Sequence, residues 1–230
     1  MNRSDLLDFL AQWLAQRDVP HPLRVAIDGI DAAGKTTLAD ELSATLRARG
    51  RPVLRASVDD FQQPRAVRYG RGRLSPEGYY DDAFDYAALI GRLLAPLGPG
   101  GNRWVETAVF HHPSDTPLPP NPQLAPANAT LLCDGVFLLR PALRPYWDAA
   151  IHLYVSLETS LARALRRDAA AMGSAAEVRR RYQARYLPAQ QHYLAKDRPQ
   201  QHADIVIDNT NPAQPRLLRL PRAGEKTGHG

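Results

Sequence analysis

Gly29-Ile30-Asp31-Ala32-Ala33-Gly34-Lys35-Thr36-Thr37 is the stretch that decides how the rest of this chain is read. It fits G-x-x-x-x-G-K-[ST] without a mismatch, and its flanks supply the context such a motif requires. Ahead of it, Leu23 to Ile27 reads as a short buried strand; behind it, Leu38, Leu42 and Leu46 recur on one face of a helix over 35–49. A strand, a glycine loop and a helix in that order predict a nest of backbone N–H groups at a helix N-terminus, which suits phosphate oxygens. Lys35 then reaches β- and γ-phosphates, the Thr36 hydroxyl holds Mg²⁺, and Thr37 lies near the α-phosphate. Residues 29–37 are therefore the candidate site for ATP and Mg²⁺. The competing reading is a glycine turn that only joins strand to helix.

Working outward, 230 residues with 44% hydrophobic composition can bury one sizeable core. The expectation is a single α/β unit over 1–210, a P-loop NTPase-type three-layer fold with a mostly parallel central sheet and a helical lid. The net charge of +5 comes with scattered arginines, which points to anionic nucleotides rather than to nucleic acid. The lone Cys133 sits in an apolar run and reads as a core filler in a protein of the reducing cytoplasm. No signal peptide is visible, and no apolar stretch reaches the roughly 18 residues that would suggest a membrane span. Nothing in the pattern specifies an oligomeric state.

The remaining segments follow in order. Ser4 is a candidate N-cap for a first helix with an apolar stripe of Leu6, Leu7, Leu10, Trp13 and Leu14. A second strand over 52–58 delivers Asp59, Asp60 and Phe61 to its C-terminal end, the edge where ligands bind in open α/β sheets. Residues 62–80 carry Gln62, Arg65, Arg68, Arg71 and Arg73 with little periodicity and read either as a mobile substrate loop or as a solvated one. Glu77, Tyr79, Tyr80 and Asp115 are the candidate substrate contacts. Helical spacing resumes over 82–97, a strand is expected over 104–110, and six prolines exclude a helix or central strand over 113–126. A buried strand over 130–133 ends in Asp134, a carboxylate suited to helping hold Mg²⁺. His111 and His112 lack a third ligand at metal spacing.

Another strand spans 151–155, and the helix after it, over 158–171, carries Arg163, Arg166 and Arg167. Ser174 and Glu177 have capping-box spacing ahead of a basic helix with Arg179, Arg180, Arg181 and Arg185. That charge run is either a solvated face or part of a lid, over 160–187, that closes on phosphates. The last strand spans 203–208, and the tail 211–230 is expected to be poorly ordered.

In this order the segments resemble the uridine kinase and phosphoribulokinase family of P-loop kinases. The resemblance is carried by the phosphate loop, Ser57 to Phe61, Asp82 to Asp85, Asp134 to Phe137, Arg166 to Asp168 and Ala203 to Ile207. It implies that Asp59 is the catalytic carboxylate, near Mg²⁺, that takes the proton from the attacking hydroxyl. It implies further that Asp134 stands in for the family's glutamate at the metal, and that the helix bearing Arg163 and Arg167 supplies lid arginines to ATP. Departures concern the acceptor. Gln62 replaces a tyrosine, Phe110 and Asp115 stand where nucleoside-contacting tyrosine and histidine lie, and the lid Arg-Gly-Arg becomes Met172-Gly173-Ser174.

The resulting expectation is an ATP-dependent kinase for a small hydroxyl compound, first of all a nucleoside such as uridine or cytidine. Pantothenate, a ribosyl compound or a sugar phosphate is the alternative acceptor. The rival of another class is an ATPase switch that acts through a protein partner; an Asn-Lys-x-Asp guanine element is absent from the sequence.

Overall fold

The two central strands are buried from end to end, and the alternation of their side chains sorts the core into two layers. The computed structural model describes residues 1–220. Its main sheet comprises β1 (Leu23–Gly29), β2 (Val53–Ser57), β3 (Thr130–Gly135), β4 (Ala149–Tyr154), β5 (Ile205–Asp208) and β6 (Arg216–Arg219), in the order β6-β5-β4-β1-β3-β2. All neighbours pair in parallel except β6, which runs antiparallel to β5. Val25, Ile27, Leu132, Ile151, Leu153, Ile205 and Ile207 pack on helices α1 (Arg3–Ala15) and α2 (Lys35–Ala48). Ala26, Leu131, Cys133, Ala150 and Val206 face the opposite layer, which contains Leu89, Leu93, Phe137 and Tyr193. The period of two thus places the sheet between two helical layers, the expected three-layer architecture. Burial raises the Cys133 thiol pKa well above its usual value, as suits a core filler.

Several local expectations are corrected. The first helix is capped by Asn2 rather than Ser4: the Asn2 side chain accepts from Asp5 N at 2.9 Å and the Asp5 carboxylate accepts from Asn2 N at 3.2 Å, a complete reciprocal box. Residues 62–80 are only in part a solvated loop, with exposed turns over 70–73. They form a short helix, Arg65–Arg68, and α3 (Pro76–Asp82), with Arg68 buried between them and their neighbours. The helix expected over 82–97 is a turn, Tyr86–Leu89, followed by a π-turn, Ile90–Leu94. The strand expected over 104–110 resolves into two bridges, Trp104–Val105 with Gln123–Leu124 and Phe110–His111 with Thr116–Pro117. The tail is ordered as far as β6, because Leu217 packs on the core and Arg216–Arg219 covers the open edge of β5. Its last part, 221–230, lies outside the described residues. Among the described residues, no helix is long and apolar enough to cross a membrane.

Register positions the functional edge. Asp134 lies beside both Ile27 of β1 and Ser57 of β2, so the loops that follow three strands emerge together. Just beneath them Asp28 is fully buried, and its carboxylate accepts from Leu138 N at 3.0 Å and Tyr193 OH at 3.0 Å, with His152 Nδ1 at 2.8 Å. Tyr193 OH in turn accepts from Leu139 N at 3.0 Å. This network ties the end of β1 to β4, to the loop after β3, and to helix α6 (Leu187–Lys196). Tyr193→Phe leaves the buried Leu139 N–H without its acceptor and removes one donor from Asp28, and is expected to lower the unfolding free energy by about 1–3 kcal/mol. Urea denaturation measures it, and an unchanged midpoint would show the hydroxyl to be dispensable.

Candidate active site

The loop between β1 and α2 has the geometry of an anion nest. Gly34 adopts φ +95 and Gly29 φ +153, conformations that favour glycine, and a Cβ on Gly29 would lie 2.6 Å from Leu153 O. Gly34 caps α2 without any side-chain hydrogen bond, and no acidic residue occupies the first turn, so the N–H groups there are free for an external acceptor. Lys35 is 9% exposed, and among the described residues its Nζ donates only to Ile30 O, at 2.9 Å. Behind the loop Arg163 donates to Ala32 O at 3.2 Å and Asn209 O at 2.8 Å, bracing Ala32 in its left-handed conformation, φ +55. Asn209 Nδ2 donates to Ala33 O at 2.7 Å. An uncapped helix end beside a buried ammonium fits a polyphosphate.

Thr36 and Asp134 are brought together: Thr36 Oγ1 donates to Asp134 Oδ2 at 2.7 Å. Asp134 is 2% exposed, and Arg55 Nη2 holds its other oxygen at 2.9 Å, a partner that the sequence reading did not weigh. Hydroxyl and carboxylate oxygens are the hard donors that Mg²⁺ takes, with phosphate oxygens and water completing its shell. These residues fit the metal.

Asp59 follows β2 in a 3₁₀ turn, Val58–Phe61, where its N–H donates to Ser57 Oγ at 3.3 Å and its carboxylate accepts from Gln62 Nε2 at 3.0 Å. It is exposed and lines a cavity of about 610 Å³ together with Asp31, Tyr79, Arg167 and Arg185. Asp60 is half-buried and outside that lining; burial and the neighbouring Asp59 raise its pKa. Asp31 faces away from the simple role of a loop spacer. Its carboxylate accepts from Tyr79 OH at 3.2 Å and Gln190 Nε2 at 2.5 Å, and burial raises its pKa against the pull of Lys35.

The lid folds over the cavity as α4 (Leu157–Arg167), a short turn at Ala169–Met172, and α5 (Ala175–Arg181), which runs through a π-turn, Tyr182–Tyr186, into α6. Arg167 lines the cavity and is paired with Asp168 at 2.6 Å, whereas Arg163 braces the phosphate loop and does not line it. Only half of the expected capping box forms. Glu177 N donates to Ser174 Oγ, but the Glu177 carboxylate pairs with Arg180 and Arg181, which hold its pKa down at about 2.

Of the four candidate substrate contacts, Tyr79 alone lines the cavity. Tyr80 is buried, donating to Asp197 at 2.5 Å beneath Arg140; Glu77 is exposed and accepts from Ser75; Asp115 is drawn to Arg68, whose Nη2 lies 2.7 Å away. Tyr69, Tyr182 and Tyr186 line the cavity and were missed. The 178, 182, 186 spacing was the signal, since Val178 and Tyr182 are buried in the lid's own small core, with Ala32 of the phosphate loop packed on it.

Comparisons with known proteins bear on the fold and the family. The family model described as Phosphoribulokinase / Uridine kinase family matches residues 25–214. Uridine-cytidine kinase B of Dictyostelium discoideum is 27% identical over 188 residues, which are 81% of this chain and 74% of that protein. The "possible uridine kinase" of Bacillus stearothermophilus superposes with a TM-score of 0.70 at 27% identity, over 88% of this chain and 97% of its own. D-glycerate 3-kinase of Cryptococcus neoformans, at 13% identity and a TM-score of 0.55 over 83% and 88% of the two chains, shares the fold. Because the family match runs from β1 past β5 and takes in the phosphate loop, the cavity and the lid alike, the chain belongs to the phosphoribulokinase and uridine kinase family of P-loop kinases.

Proposed function

We propose that the protein transfers the γ-phosphoryl group of ATP to a hydroxyl of a small molecule held in the 610 Å³ cavity. The observation that carries this reading is the position of Asp59, an exposed carboxylate lining the same cavity as Asp31 of the phosphate loop and Arg167 of the lid. A partner-driven switch has no need of a carboxylate aimed into a cavity of small-molecule size.

Mg²⁺-ATP supplies the phosphoryl group, and the metal offsets charge on the phosphate oxygens. The protein's own residues position and neutralise. Lys35 and the free N–H groups of α2 bind the phosphates; Thr36, with Asp134 behind it, and Asp59 are the metal-side oxygens. Gln62 holds the Asp59 carboxylate so that it orients the acceptor hydroxyl and receives its proton as the new O–P bond forms and the bond to ADP breaks. Arg167 counters charge on the transferring group, and Arg163 acts through the backbone of the loop it braces. Tyr79 connects the acceptor wall to Asp31. The similarity to uridine-cytidine kinase B supports a nucleoside as the first acceptor to test, with pantothenate, ribosyl compounds and sugar phosphates beside it. A single buried cysteine suits a reducing cytoplasm.

ADP release with Mg²⁺-ATP against a panel of these compounds tests the reading; release that ignores every acceptor would favour the switch. Asp59→Asn is expected to lower turnover about a hundredfold or more while keeping ATP affinity and fold, checked by nucleotide titration and circular dichroism. Lys35→Ala is expected to lower turnover by a similar order, about a hundredfold, and in addition to weaken ATP binding, because its ammonium is the cation nearest the loop.

A further inference from the structure

We infer that the acceptor carries an anionic group, a carboxylate or a phosphate, bound by Arg68, Arg73 and Arg185 beside Asp59. The word acceptor rests on the phosphotransfer reading above; the anion subsite rests on observations of its own.

Arg68 lines the cavity yet is only 3% exposed, and its Nε has no hydrogen-bond partner. Its other nitrogens reach Gln62 Oε1, His112 Nδ1 at 3.2 Å and Asp115 Oδ1 at 2.7 Å. Arg185 also lines the cavity and is 3% exposed. Its guanidinium donates only to backbone carbonyls, those of Arg68 at 3.1 Å, Ser75 at 3.0 Å and Arg73 at 3.5 Å, and stacks over Tyr69 and Tyr79. Among the described residues it has no carboxylate partner, and burial lowers its pKa, as it does for a cation held without a counter-charge. Arg73 lines the same wall, is exposed, and its side chain makes no hydrogen bond or ion pair among the described residues. His112 adds no charge near neutral pH, since burial and Arg68 both lower its pKa.

The other cavity arginines differ in kind. Arg167 is paired with Asp168, Arg181 with Glu177 and Arg65, at 3.9 Å, with Asp115, so each has a carboxylate beside it within the protein and remains a cation on the cavity wall. The unanswered charge sits with Arg73 and Arg185, next to Arg68, whose buried Nε has no partner among the described residues. A neutral nucleoside would close this wall over buried cations and leave them unpaired, which is costly. A carboxylate or phosphate would accept charge-assisted hydrogen bonds there. Gln62 sets the spacing: its amide donates to Asp59 and accepts from Arg68, so hydroxyl and anion of one molecule are recognised on either side of a single glutamine. This is the residue that departs from the family's tyrosine.

The test is calorimetric titration of the protein saturated with Mg²⁺ and a non-hydrolysable ATP analogue, which occupies the phosphate loop. Two pairs are compared, glycerol with D-glycerate and ribose with ribose 5-phosphate. In at least one pair the anionic member is expected to bind about tenfold tighter or more, and Arg73→Ala to cut that preference several-fold while leaving the neutral member unchanged. The pair with the larger preference distinguishes carboxylate from phosphate. Arg68→Gln, with its fold checked by circular dichroism, is expected to abolish the preference; if it fails to fold, Arg73→Ala decides. Equal affinities within both pairs, no binding of either anion, or a preference that survives Arg73→Ala overturns the inference. Arginine-dependent anion binding without acceptor-dependent ADP release would keep the subsite and remove the kinase reading, so the two fail separately.

Discussion

Parallel pairing of β1 with β3 on one side and β4 on the other is the constraint on which the remainder depends. Parallel neighbours require crossovers through helices, and these turn β1 to β5 the same way, so the C-terminal ends of those five strands meet on one edge. On that edge the register sets Asp134 beside Ile27 and Ser57, which makes neighbours of the glycine loop after β1, the Asp134 carboxylate and the turn bearing Asp59. Residues separated by about a hundred positions in the chain become one constellation because backbone hydrogen bonds hold three strands in step.

Buried charge separates scaffold from site. Arg24 in β1 is 5% exposed and is met by Asp148 through a bidentate pair at 2.8 Å and 3.0 Å; Asp28 is met by His152, Tyr193 and a backbone N–H; Asp134 is met by Arg55. Each of these is compensated within the protein and stiffens the junction of strands. Lys35 and Arg185 are buried to a similar degree and are satisfied only by carbonyl oxygens. Charges removed from water without a counter-ion are costly, and such sites are where an anionic ligand contributes most. One lies at the glycine loop after β1 and the other on the cavity wall, the two places where the proposed reaction needs negative groups.

The lid connects the two halves of the site. Gln190 of α6 and Tyr79 of α3 both donate to Asp31, and the small core around Val178 and Tyr182 packs on Ala32. The phosphate loop is thus held from the lid side as well as from the sheet, by Arg163 behind and by polar contacts in front. Rigid positioning of this kind is what phosphoryl transfer asks of a protein, since the reaction needs little covalent help.

How much of this was legible depended on whether the signal was local. The phosphate loop, the strand before it and the helix after it follow from glycine conformations and from periods of two and 3.6, which neighbouring residues carry among themselves; the same is true of the parallel strands and of the three-layer fold. Asp59 and Asp134 could be placed at strand ends for that reason. The acceptor wall could not be read in this way. Arg68, Arg73 and Arg185 look alike along the chain, a run of solvated cations, and only packing buries two of them and leaves the third open to the cavity. Tyr79 and Tyr80 are adjacent, yet the helix turns one toward Asp31 and the other toward Asp197. The fold, and the loop and strand ends proposed as the nucleotide site, were thus legible along the chain, because they rest on short-range backbone and periodicity rules. Which charged and aromatic side chains meet in the cavity rests on tertiary packing, because the partners of Arg68, Tyr79 and Arg185 lie from tens of residues to more than a hundred residues away.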